Sequence, residues 1–446
     1  MDDFFFTISS YIDTILALGG DNPFAAMATL LFLSGWLSVI VWLLILRLAW
    51  DIGIHVWQHH KQHIFAHHLN WIVLRITVPN SEQTPKAAEN IFAQLAGAHS
   101  SISWKETWFD GAYQPAITVE LASLEGRNNF FVRCIDKSRD LIEASVYAQY
   151  PAAEIEEVPD YTKAWGPKKF PDSEYDAWGA EFTNVSADAY PLKTYREFED
   201  AVSGEFKDPV AAVLEAFSRL GPGEQAWFQI TMVPTDQKAT RERAQPIIDK
   251  LRGVETKVHH SFLTDLVDLP LKAITGIFFG GGGKEKKESK DIPPKLMRLS
   301  PIEKDILEAV ERKSSKISFD SKARFMYIAK KTVFSKARIA QAFIGAIKQT
   351  NTFHMQALKP DLKKTGMSSA IWWFKQQRND ARKTRLINNM RSRDTTAGLN
   401  RFSLSAEELA TLWHFPILTQ VKAPSLRQIE AKKSDAPYNI PFEEEL

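Results

Sequence analysis

Gly280 to Lys284, four glycines and a lysine, invite a phosphate-cradling reading. A nucleotide-binding loop needs G-x-x-x-x-G-K-[ST]. With Gly283-Lys284 as its closing pair, the first glycine falls on Phe278 and the magnesium-binding hydroxyl on Glu285, whose carboxylate would repel phosphate. Pro293-Pro294 also blocks the helix that should follow. The run reads instead as a flexible loop within an insertion over 260–299. The apolar stretch before it, from Phe262 to Phe279, can pack on the core or touch a membrane face. A second chemical pattern is the ladder His55, His59, His63 and His67. Imidazoles four residues apart form one helical stripe that can chelate a transition metal. No cysteine or carboxylate completes the set, so no metal is assigned. A membrane-surface helix that charges near neutral pH is the favoured alternative. A third pattern is basic. Between Asp361 and Phe402, Lys363, Lys364, Lys375, Arg378, Arg382, Lys383, Arg385, Arg391, Arg393 and Arg401 face only Asp361, Asp380 and Asp394. Trp372, Trp373 and Phe374 lie among them. Cations interleaved with aromatics can hold phosphates and stack bases. The residues that would make that contact are Lys375, Arg378, Arg382, Lys383, Arg385, Trp372 and Trp373. The competing reading is an amphipathic helix whose aromatics dock on its own domain while its charges face water.

Other signatures are missing. The sequence has no C-x-x-C, H-E-x-x-H, G-x-S-x-G or G-x-G-x-x-G. The acidic pairs Glu156-Glu157 and Glu407-Glu408 need only a solvated strand edge and a helix dipole. No catalytic residue and no cofactor is expected. The single cysteine, Cys134, excludes an intramolecular disulfide. Hydrophobic residues at 44% and charged residues at 24% describe a globular chain rather than a disordered one. A net charge of +1 implies no strongly electrostatic partner for the chain as a whole, but charge is uneven along it.

The elements that would position these residues begin with Phe24 to Leu46, which contains no charged residue. At about 1.5 Å per residue it is long enough to span a bilayer core of about 30 Å. Acidic residues precede it, no lysine or arginine does, and Arg47 and Lys61 follow. The expectation is one transmembrane helix over 24–46, with segment 1–23 outside the inner membrane and the bulk of the chain in the cytoplasm. The histidine-rich helix then covers 47–69. From Trp71 the period changes to two, and strand and helix patterns alternate in the order β-α-β-β-(β)-α-β, with "SISWKETWF", "AITVELASL" and "NFFVRCI" as the strands between the two helices. This predicts a ferredoxin-like sandwich over 70–158. A Pro- and Trp-rich linker or cover follows at 159–176. A second α+β unit of similar order follows over 177–360. The basic segment occupies 361–404, and a short helix with a polar tail occupies 405–446. The predicted class is therefore α+β: one transmembrane helix, two ferredoxin-like α/β sandwich units and a helical C-terminal segment.

In that last part "FSLSAEELATLWHFP" carries a capping box, Ser405 and Glu408. It and "VKAPSLRQIEAKKSDAPYNIP" resemble the region preceding the motor in membrane-anchored type IV secretion and conjugative-transfer proteins of Candidate Phyla Radiation bacteria. "IEASVYAQYPAAEIEEV" and "DAWGAEF…DAYPLKTY" look like segments of the same family, so the resemblance covers roughly 70–440. In many relatives a coupling-protein-like ATPase domain with a true phosphate loop follows; here the sequence reaches Leu446 where that domain would begin. The resemblance implies a non-catalytic, membrane-anchored component that docks or positions a separate P-loop ATPase, with membrane lipid as a further partner and a homo-oligomer in the assembly. Leu409, Leu412, Trp413 and Phe415 are the expected docking residues. Two alternatives stay open: a nucleic-acid-binding adaptor using 361–402, and a membrane sensor with the histidine ladder as metal or pH input.

Overall fold

The structure, a computed structural model, describes residues 23–79, 83–199, 206–252, 300–367 and 373–417. The glycine run, Trp372 and the tail after Ile417 lie outside them. The chain divides into two units, one of residues 1–69 with 101–113, the other of 70–100 with 114–446.

The first unit contains α1, Pro23–His67, a helix of 45 residues. Here the expected spanning helix is corrected: among the described residues no helix is long and apolar enough to cross a membrane. Phe24–Leu46 does not form a separate element. It is continuous with turns that carry the Arg47–Asp51 ion pair (3.6 Å) and the histidines. The single-pass inner-membrane assignment falls with it. "SISWKETWF", expected as a strand, folds instead into the wide helical turn Glu106–Asp110. Its reciprocal cap decides this: Ser103 N donates to Glu106 Oε2 at 2.7 Å, and Glu106 N donates to Ser103 Oγ at 3.3 Å.

The second unit is α+β and is built on one antiparallel sheet of nine strands, in the order β4-β1-β3-β2-β6-β7-β5-β8, with β9 also paired to β7. The strands of the first half are β1 Trp71–Thr77, β2 Ile117–Leu124, β3 Arg127–Ile135 and β4 Glu154–Glu157. Those of the second half are β5 Tyr175–Asn184, β6 Glu224–Pro234, β7 Ser318–Lys330 and β8 Leu358–Pro360, and β9 is Phe402–Ser405. Each half runs 4-1-3-2 in its own count. The halves are not two separate sandwiches, however. They join edge to edge where β2 pairs antiparallel with β6, from Ile117↔Met232 to Leu124↔Gln225.

Alternation along the strands divides the side chains between two faces. On one face Ile117, Val119, Leu121, Phe228, Ile230 and Phe325 join a core closed by five helices. These are α2 Pro85–Leu95, α3 Arg139–Gln149, α5 Ala211–Ser218, α8 Lys336–Lys348 and α10 Ala406–Leu412. Ala88, Ile91, Phe92 and Leu95 of α2 follow the helical period and are buried there. At its centre the Phe325 and Phe343 rings stack 3.9 Å apart. On the other face Trp227, Met326 and Ile328 are covered by α4, Tyr161–Ala164, and by α9, Lys375–Ser392. α4 contributes Tyr161, and α9 contributes Leu386, Ile387 and Met390. The segment expected as a linker is thus partly core, with Thr162 and Phe170 also buried. A satellite cluster joins Ala244 and Ile248 of α6, Gln237–Arg252, to Leu307 and Val310 of α7, Pro301–Ser315. The Ser300–Glu303 capping box starts α7.

Candidate nucleic-acid interface

The basic segment separates physically into two groups. One group is structural. Arg393 ends α9 in the left-handed region (φ 54°) and is fully buried. Its Nε and Nη2 donate to the two oxygens of Glu120 on β2, at 2.8 and 3.0 Å, and Nη1 donates to Asp160 at 2.6 Å. Burial works against this charge, but Glu120 and Asp160 outweigh it and hold the guanidinium above its ordinary range. Arg391 donates to the carbonyls of Thr162, Trp165 and Pro167, tying α9 to the 161–167 cover. Lys383 pairs with Asp176. These cations are committed to the fold.

The other group faces outward. Arg382 donates to Lys363 O at 2.8 Å and Gly366 O at 2.9 Å, fixing the 361–366 loop beside α9. Asp361 shapes that loop by accepting from the amides of Lys363 and Lys364 at 2.9 and 3.0 Å. Its carboxylate is thereby used, and both lysine side chains are exposed. Lys375, Arg378 and Arg385 are exposed along α9. The first turn of α9 holds no acidic residue, and no side chain caps it among the described residues. A helix N-terminus carries partial positive charge, so Lys375 and Arg378 there add to it rather than cancel it. Directly before them Trp373 is 83% and Phe374 71% exposed. The expectation that the aromatics dock on the domain fails for these two, while the apolar side of α9 does dock.

Two concavities lie against α9. One, of about 190 Å³, is lined by Lys364, Thr365, Arg382, Arg385, Asn389 and Gly398 over Glu181. Glu181 is buried and neutralised: Arg324 Nε donates to it at 2.8 Å and Leu399 N at 2.6 Å. Gly398 passes so close that a Cβ there would lie 2.2 Å from Glu181 Oε2, and its φ is +91°. Glycine is required at that point. Lys322 and Arg324 also donate to Ala397 O, at 2.6 and 3.0 Å, holding the strap that closes the cavity. Burial and the neighbouring Arg324 lower the Lys322 ammonium to about 8. The second concavity is an open groove of about 870 Å³ between Phe170-Pro171 and α9.

The other sequence candidates are not gathered here. His55, His59, His63 and His67 stand exposed on α1. The rings of His63 and His67 meet edge to face at 4.5 Å. Among the described residues no three His, Cys, Asp or Glu side chains converge to hold a metal. Leu409, Leu412, Trp413 and Phe415 are buried at 0 to 5% exposure in the first core, so they are not presented to a partner. Trp413 packs on Phe92 and Phe130, and its Nε1 donates to Glu120 O at 3.2 Å. Glu407 and Glu408 are also buried, and are paired with Arg196 at 3.2 Å and Lys313 at 3.0 Å respectively. They are therefore neither solvated nor merely dipole partners. Sequence reasoning missed Gln377, Asn388, Asn389 and Gly398. The first three were detectable as amides on the turns of α9 that carry Arg385. Glu181 and Arg324 show only as charges at inward-facing positions of strands.

Fold and site together define an α+β protein with a continuous antiparallel sheet and a basic, aromatic-edged cleft on its second face. The chain belongs to the family described as a domain of unknown function, DUF8128, whose profile matches residues 58–425. No curated protein matches it.

Proposed function

We propose that this protein is a non-catalytic nucleic-acid-binding adaptor that grips phosphates with the outer face of α9 and the 361–366 loop. The observation that carries this is local charge excess. Lys363, Lys364, Lys375 and Arg385 are exposed on one surface without carboxylate partners among the described residues, beside exposed Trp373 and Phe374. Asp361 and Asp380, the nearby acids, are turned to loop capping and to Gln376. The resemblance to conjugative-transfer proteins supports a place beside a separate ATPase that supplies the energy.

The test is binding of the purified chain to fluorescent oligonucleotides across a salt series. About four neutralised phosphates predict a log–log slope near −3 for a single strand. Replacing Lys363, Lys364, Lys375 and Arg385 together by alanine should flatten that slope to near zero. No binding at about 50 mM salt, or an unchanged slope in the variant, overturns the proposal.

A further inference from the structure

Arg385 and Asn389 line both concavities and form the wall between them. Asn389 is 8% exposed, and its side chain lines both concavities. The two sides of the wall differ in chemistry. The smaller cavity gathers Lys364, Arg382 and Arg385 above a carboxylate already neutralised by Arg324, which suits one phosphate group. The groove offers the amides of Gln377 and Asn388 beside the apolar edge of Phe170-Pro171, with Lys169, Asp380 and Arg385 also in its lining. Gln377, Ala381, Arg385 and Asn388 fall four, four and three residues apart, so one stripe of α9 carries them all, and Ala381 leaves the room between.

Resting on the nucleic-acid reading above, we infer that this wall is a nucleotide subsite: the phosphate sits in the cavity and an unpaired base lies in the groove. Planar base edges pair with side-chain amides, and a duplex keeps those edges inside its own stack. The subsite therefore takes a nucleotide that is free or within a single strand, not one in a duplex.

Ala381 separates this inference from simple charge attraction, because it is exposed and carries no charge. Filling the groove with Ala381→Trp should leave the melting temperature and the salt slope unchanged. The full-length protein would be titrated with a fluorescent single strand of about a dozen residues and with the matching duplex. The single strand should bind about tenfold more tightly or better, and Ala381→Trp should erase that preference. Competition by a free nucleoside 5′-monophosphate that is lost in the variant assigns the subsite to free nucleotides. Strand preference without such competition assigns it to a strand. Equal binding of strand and duplex, or a preference untouched by Ala381→Trp, overturns the subsite while leaving phosphate binding in place. No binding of any nucleic acid overturns both readings.

Discussion

Arg393 sits between Glu120 and Asp160 with no water-facing surface of its own. Arg393→Met would leave Glu120, a buried carboxylate on a central strand, with the Tyr161 hydroxyl but no cation, and removing one partner of a buried pair costs about 3–5 kcal/mol. Urea denaturation of the variant measures this, and a loss below about 1 kcal/mol would show that Glu120 finds another partner. Lys322 gives a pH signature. Its ammonium is lowered from 10.5 to about 8 in the fold. Between these values the unfolded chain binds more protons at this site, so its contribution to stability rises with pH. Wild type should gain on Lys322→Met between about pH 7 and about pH 10, and a constant difference would contradict the assignment. In the sequence, Arg385 and Arg393 are alike, two arginines eight apart in a basic run. What separates them is the left-handed turn at 393, which drives one inward while the helix leaves the other outside. Composition reveals a basic surface but not which cations the fold consumes.

The capping boxes were readable from spacing alone, at Ser300–Glu303 and Ser405–Glu408, and both form. The destination of α10 was not. A short amphipathic helix shows the same apolar stripe whether its own core or another protein covers it. Here Trp413 meets Phe92, Phe130 and Phe415. Trp413→Ala should therefore cost about 3–5 kcal/mol in a denaturation experiment; a change under about 1 kcal/mol would mean the ring is dispensable to the core. The strap over Glu181 makes a different demand. Gly398→Ala puts a methyl group against a carboxylate and strains a positive φ, with an expected loss of about 1–3 kcal/mol and weaker anion binding. Unchanged stability and affinity would show that the strap can shift freely. The turn at Glu106–Asp110 shows how a local cap defeats a strand-like pattern of alternation.

At the scale of the whole sheet, the alternating strand and helix patterns were visible, and so was the doubling. The junction was not, because β2 and β6 are remote in sequence and nothing local states that two edges will meet. Since their pairing runs through eight consecutive partners, the two halves of the sheet should unfold together. Calorimetry should give equal calorimetric and van't Hoff enthalpies for that transition, and two resolved transitions would contradict it. The strand order reads the same from either end, four strands matched by four. A homodimer assembled across such a junction would have to display every surface feature twice, in opposed directions. Tethering the halves in one chain lifts that obligation. The position after β4 holds a helix of four residues, whereas the position after β8 leads into one of 18. Among the described residues the two positions thus differ, and under the proposed function a strand laid along the basic side of α9 would be held in a single polarity.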